Sequence, residues 1–273
     1  MAKVPKGQLL LWPGEAGERI SSQLSRLLVW QPGASASLAM TPLLPATPRL
    51  PLALKLLVSA FLLVMVPVYY RNYGPTNFLY FCDVALLLCF VSLWTERALP
   101  ASMAAVGILL PQALWCADFV GELLGMRLVG LTSYMFDENR SLFLRGLSFF
   151  HGWLPFLLLF LLKRLGYDRR ALWAWTGLGW SLCLVAYFFL PAAGTVLADA
   201  KIPVNINYVF GFDDAKAQTM LPAPLYLLAW MAVLFIVCYL PTHLLLRKVF
   251  ARRAAQPQAV VAREAFAGGE VLG

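Results

Sequence analysis

The sequence predicts an all-α polytopic membrane protein, a bundle of six transmembrane helices, and three observations lead there. The chain is 60% hydrophobic and 13% charged with a mean hydropathy of +0.71, whereas soluble domains are about half apolar and about a quarter charged. Six apolar runs follow one another, each near the roughly 20 residues that carry a helix across about 30 Å of hydrocarbon. The lysines and arginines fall at the ends of those runs, where topology signals sit.

Residues 1–50 precede the first run and are broken by Pro5, Pro13, Pro32, Pro42, Pro45 and Pro48, with a short amphipathic piece at Glu18–Trp30. They lack the basic start, apolar centre and small-residue cleavage site of a signal peptide. A partly disordered cytoplasmic extension lying on the membrane surface is expected, and because the regular pattern begins after Met40, that residue marks an alternative start. The transmembrane domain is expected over residues 51–248, with spans near Leu52–Tyr70, Phe78–Trp94, Pro100–Leu124, Leu147–Leu162, Leu172–Leu190 and Pro222–Leu246. Backbone groups have no water to bond in the bilayer core, so these runs must be helices. Residues 249–273 read as a flexible basic cytoplasmic tail.

Charge gives the orientation. With the N-terminus inside, sixteen of the twenty-two Lys and Arg residues fall on the cytoplasmic side, among them the KRLGYDRR turn at 163–170 and the RKVFARR stretch at 247–253. The outer side keeps Arg71, Arg127, Arg140, Arg145, Lys201 and Lys216. Both termini are therefore expected in the cytoplasm. The net charge of +8 matches anionic lipid; no basic face or aromatic ladder suggests nucleic acid.

The five cysteines, Cys82, Cys89, Cys116, Cys183 and Cys238, lie inside apolar runs without a C-x-x-C pair or metal-ligand spacing to a histidine. No disulfide framework or metal site is expected. The absence of a phosphate loop, HExxH, nucleophile elbow or dinucleotide fingerprint leaves no cofactor implied. Oligomeric state is not legible.

The stretch NYGPTNFLYFCD (72–83) turns through Gly74 and Pro75 into the second helix and carries Cys82 and Asp83 below the outer surface. At about 1.5 Å per residue, Asp118 and Glu122 at the outer end of helix 3 and His151 near the start of helix 4 lie at a similar depth. Pro111, Trp115, Asp118 and Glu122 recur at helical spacing and form one stripe. Ionisable groups in a span usually face the bundle interior or a wet cavity, so an outward-opening polar pocket is expected. Asn72, Asn77, Asn205 and Asn207 would sit at its rim. Each of these residues also has a structural reading: Asp118 and Glu122 as interfacial helix-end groups, Asp83 as an ion-pair partner of Arg71, Arg140 or Arg145, and His151 as an interhelical hydrogen bonder. His243, near the inner end of helix 6, reads as an interface residue.

The chemical reading makes Cys82 a nucleophile and His151 its base, with Asp83 or Asp118 orienting the imidazole. Cys82 and Asp83 point about 100° apart on a helix, so one of them can aim at His151, and the sequence does not choose which.

The Cys82–Asp83 pair, the FFHG histidine at 149–152, NINYVFG at 205–211 and MLPAPLYLL at 220–228 resemble bacterial integral-membrane proteins distantly similar to eukaryotic transmembrane protein 164. That relative is a six-helix acyltransferase of ether phospholipids, grouped with the androgen-induced membrane hydrolases of fatty-acid esters. The resemblance, over about residues 52–246, implies the bacterial inner membrane, membrane lipids as partners, a nucleophilic role for Cys82 and a partner role for His151. Where those bacterial relatives carry a histidine two residues before the cysteine, this chain has Tyr80.

Three functions are therefore open: a lipid acyltransferase or lipid-ester hydrolase with Asn77 or Asn207 as oxyanion donors, a protein that binds or conducts a small solute or protons through the Asp83, Asp118, Glu122 and His151 layer, and an envelope assembly partner.

Overall fold

The computed structural model describes residues 50–250, apart from Arg127 and Ala200. The expected N-terminal extension, Met40, and the tail beyond Phe250 lie outside the described residues. Six helices follow in chain order: α1 Leu52–Tyr73, α2 Phe81–Thr95, α3 Ala98–Leu123, α4 Leu142–Leu165, α5 Ala171–Phe189 and α6 Ala223–Phe250. No strand occurs among the described residues. Five of these helices are long and apolar enough to span a membrane, and α2, at 15 residues, is the short one. The chain is an all-α, multi-pass membrane protein.

Local chemistry explains where boundaries moved from expectation. The second helix begins at Phe81, not Phe78, because Pro75–Leu79 winds as a 3-10 turn after Gly74, whose φ is 75°; glycine adopts that conformation without strain. Cys82 is thus the second residue of α2, not one a full turn inside it. The fourth helix starts at Leu142, earlier than expected, since Ser141 caps it by accepting from the Leu144 amide at 3.3 Å. Its ladder breaks at Phe149 before resuming over Phe150–Leu165. A π-helical stretch at Leu234–Tyr239 precedes Pro241, which has no N–H to offer a regular ladder.

The central helix is α3, which packs against α2, α4, α5 and α6, while α1 lies against α2. Leucine, alanine and aromatic side chains fill the core, with Phe150, Trp175 and Tyr239 fully buried. Exposed Leu57, Leu63, Phe156, Phe188 and Phe189 form a surface suited to lipid tails, not water. Helices alternate in direction, so one end of the bundle carries the short connections 96–97 and 166–170. The other carries the long segments 74–80, 124–141 and 190–222. At the short-turn end Lys55 Nζ meets Glu96 Oε1 at 2.7 Å, and the Tyr167 hydroxyl shares a 2.6 Å hydrogen bond with His243 Nδ1. His243 is thereby an interface residue of α6. All five cysteines are free thiols.

Candidate functional site

The residues singled out from sequence gather at the loop-rich end, in two groups. The first is the start of α2. Asn207 reaches it from the 190–222 segment: its Oδ1 accepts from Phe81 N at 3.0 Å, its Nδ2 donates to Leu79 O at 2.9 Å, and its carbonyl accepts from Trp230 Nε1 at 2.9 Å. It does so from a left-handed conformation, φ 60° and ψ 22°, which asparagine tolerates better than most residues. Asn207→Ala is expected to cost about 2–4 kcal/mol, from a strained backbone and buried groups left unpaired. Asn207→Gly should cost less, because it keeps the backbone and loses the side-chain bonds alone. Thermal unfolding in detergent checks the order of the two.

Immediately below this tie, the Cys82 thiol donates to Asp83 Oδ2 at 3.6 Å. The carboxyl is 3% exposed, and its other oxygen, Oδ1, is buried without a partner. None of Arg71, Arg140 and Arg145 pairs with it: Arg140 stands 3.6 Å from Asp137 and Arg145 donates to Met135 O. Tyr69 lies within electrostatic range of Asp83, and Tyr134 and Tyr208 lie within range of Cys82. Burial pushes the Tyr134 phenol up and the Tyr208 phenol to about 12, so both remain protonated donors at neutral pH.

The second group surrounds His151. Its Nδ1 lies 2.7 Å from Ser148 O. A carbonyl can only accept, so Nδ1 carries the proton and, in the neutral ring, Nε2 keeps the lone pair of a base. The ring stacks on Trp115 at 5.3 Å, and Trp115 Nε1 donates to the Tyr134 hydroxyl at 3.2 Å. Pro155 lacks the N–H that would satisfy the His151 carbonyl, and Cys116 Sγ approaches that oxygen at 3.9 Å. Ser148 Oγ shares a 2.6 Å hydrogen bond with the Tyr69 hydroxyl, which connects this group to the side of Asp83. No hydrogen bond joins His151 to Cys82 or Asp83.

Asp118 is the clearest departure from the expected pocket. Its Oδ1 accepts from Val129 N at 2.7 Å and Gly130 N at 3.0 Å, and its Oδ2 accepts from both Thr132 N and Thr132 Oγ1 at 2.9 Å. This carboxylate folds the 129–132 loop onto α3 and does not orient His151. Asn205 is likewise committed to its own loop, bonding Phe210 N and Gly211 O, and Asn72 Nδ2 donates to Val68 O at 2.8 Å. Asn77 is buried, and its carbonyl accepts from Tyr80 N. Glu122 keeps Oε2 buried and unpartnered.

Gln112 is a residue that sequence reasoning passed over. It is 3% exposed with neither amide atom hydrogen-bonded, and it lies one turn along α3 from the Trp115 and Cys116 that hold His151. A lone glutamine inside an apolar span was itself the signal. Tyr69 and Tyr134 were missed because tyrosine is ordinary at a membrane interface. Among the described residues no cluster of His, Cys, Asp and Glu has the makings of a metal site.

The arrangement offers a thiol paired with a carboxylate, a separate imidazole with one free nitrogen, and two phenolic donors within electrostatic range of the thiol. No family model matches this chain, and no curated protein or solved structure is significantly similar to it.

Proposed function

We propose that this multi-pass protein is a lipid acyltransferase or lipid-ester hydrolase of the bacterial inner membrane, with Cys82 as its nucleophile. The observation that carries the reading is the 3.6 Å contact from Cys82 Sγ to Asp83 Oδ2, at the start of a helix and within range of two protonated phenols. The resemblance to transmembrane protein 164 points to the same cysteine. The predominance of arginine and lysine at the short-turn end makes that end cytoplasmic, so the site opens outward.

In this mechanism the thiol proton passes to Asp83 and the sulfur attacks the ester carbonyl carbon; the C–O bond breaks, the departing alkoxide takes the proton from Asp83 and leaves as the alcohol, and an acyl thioester remains. The Tyr134 proton is free to bond the developing oxyanion, because its oxygen is the acceptor for Trp115 Nε1. The Asn207 amide is already bound to Leu79 O, so the phenols take the role first given to the asparagines. His151 Nε2 then takes a proton from water or an acceptor alcohol, which attacks the thioester and restores the thiol.

An acyl fluorophosphonate or thiol-reactive lipid probe tests this directly. Labelling should be lost in Cys82→Ala, and turnover should fall by about 10²–10⁴-fold in His151→Ala. Labelling and turnover unchanged in both variants would sink the proposal.

A second reading rests on Asp83 Oδ1 and the Gln112 amide, polar atoms buried without partners in a bilayer-embedded bundle, where such groups cost free energy. They suit a protein that binds or conducts a small solute or protons. Flux into liposomes that survives Cys82→Ala and disappears in Asp83→Asn would replace the enzymatic reading with this one.

A further inference from the structure

At the opposite end of the bundle, α1 and α4 diverge and leave an apolar groove of roughly 620 Å³ lined by Pro51, Ala53, Leu54, Leu57, Leu157 and Phe160. It is a shallow, open trough and not an enclosed cleft, a shape that accommodates an acyl chain lying along the helices. Leu57 is 68% exposed, so the groove lies open to the surrounding lipid.

The groove has a cation at its rim. Arg164, in the last turn of α4, holds its guanidinium carbon 5.8 Å from the centroid of the Phe160 ring, one turn back along the helix. A basic side chain near the end of a span ordinarily extends outward to interfacial water. This one lies back over a groove residue, and among the described residues no acid pairs with it. Of the other cations at this end, Lys55 is already neutralised by Glu96 at 2.7 Å, and Lys163, beside Arg164 in the last turn of α4, points about 100° away around the helix. Glu96 is taken by its pair with Lys55, so it does not stand ready to receive the ammonium of a zwitterionic headgroup. An apolar trough with an arginine at its interfacial edge that no described acid neutralises matches a lipid with apolar tails and a net negative phosphate.

We propose that this groove is a binding site for an anionic phospholipid, with an acyl chain lying between Leu57 and Leu157 and the phosphate on Arg164. The site is separate from the Cys82 region and does not depend on the chemistry performed there.

Native mass spectrometry of the purified protein, given phosphatidylglycerol or phosphatidylcholine of the same chain length, tests the assignment. Wild type should retain phosphatidylglycerol about fivefold better, the preference of about one surface arginine for an anionic headgroup. Arg164→Ala should bind the two lipids equally, and Arg164→Lys should keep part of the preference. Leu57→Trp, at an exposed position where folding is not at risk, should reduce retention of both lipids alike by filling the trough. Arg170→Ala, whose guanidinium already pairs with Asp168 at 2.7 Å, should behave as wild type. No preference in wild type, a preference undiminished in Arg164→Ala, or retention undiminished in Leu57→Trp would each overturn the proposal.

Discussion

Replacing Asp118 by alanine is expected to destabilise the protein by about 3–5 kcal/mol. The carboxylate is fully buried and accepts four hydrogen bonds from three residues of one loop. Hydrogen bonds to a charged group contribute about 1.5–3 kcal/mol each, so a simple sum would run higher. Water limits it: Val129 is 58% exposed and its freed N–H can be solvated, whereas Thr132 is fully buried and its N–H and hydroxyl cannot. The Thr132 pair therefore dominates the loss. Asp118→Asn keeps one acceptor oxygen but turns the other position into a donor facing N–H groups, so it should fall between alanine and wild type. Thermal unfolding followed by tryptophan fluorescence in detergent reads the stability, and hydrogen exchange at residues 129–132 reads the loop. A variant with wild-type stability and protected loop amides would show that Asp118 does not hold this segment.

The same residue marks how far the sequence could be read. Six helices were legible because burial in lipid demands long apolar runs, and five of the six are visible by length and composition alone. The stripe of Trp115, Asp118 and Glu122 was legible as well, since spacing of three and four residues puts side chains on one helix face. What fills the space opposite that stripe was not. Residues 124–126 and 129–132 fold back on α3, with Met126 N bonding Gly121 O at 2.8 Å and Gly125 at φ 76°, so a carboxylate that looked destined for a pocket meets backbone amides. Helix ends were an uneven ruler as well. The ladder of the second helix gives way to a 3-10 turn above Phe81 and the fourth begins a turn early, so the depths of Cys82 and His151 cannot be counted from equal helix ends. Asn205 and Asn207 carried a signal that could have been used: asparagine is among the residues that best tolerate left-handed backbone, and both adopt it here.

A second large effect is expected at Gly107, in the middle of α3. A Cβ built there would overlap Cε2 and Cζ2 of Trp175, so the indole of α5 lies directly against the α3 backbone. Small residues at such crossings let helices approach closely in a membrane, where packing does much of the work of association. The indole has little room to retreat. It is fully buried, edge-on to Phe81 at 6.1 Å and to Tyr239 at 6.3 Å. Gly107→Ala should therefore cost about 3 kcal/mol or more, at the upper end for overpacking. Gly177→Ala provides the contrast: nothing stands within 4 Å of its Cβ position, and replacing a helical glycine there should stabilise by about 0.4–1 kcal/mol. Shortening the indole in Gly107→Ala/Trp175→Leu should recover part of the loss, a non-additivity that separates steric conflict from a general weakening of α3. Phe81 adds a consequence for the thiol, because it precedes Cys82 and a displaced Trp175 would press against it. Maleimide labelling of Cys82 should change in Gly107→Ala and revert in the double variant. If Gly107→Ala unfolds with the wild-type midpoint, the close approach of α3 and α5 at this crossing is wrong, and so is the route by which the bundle core supports the start of α2.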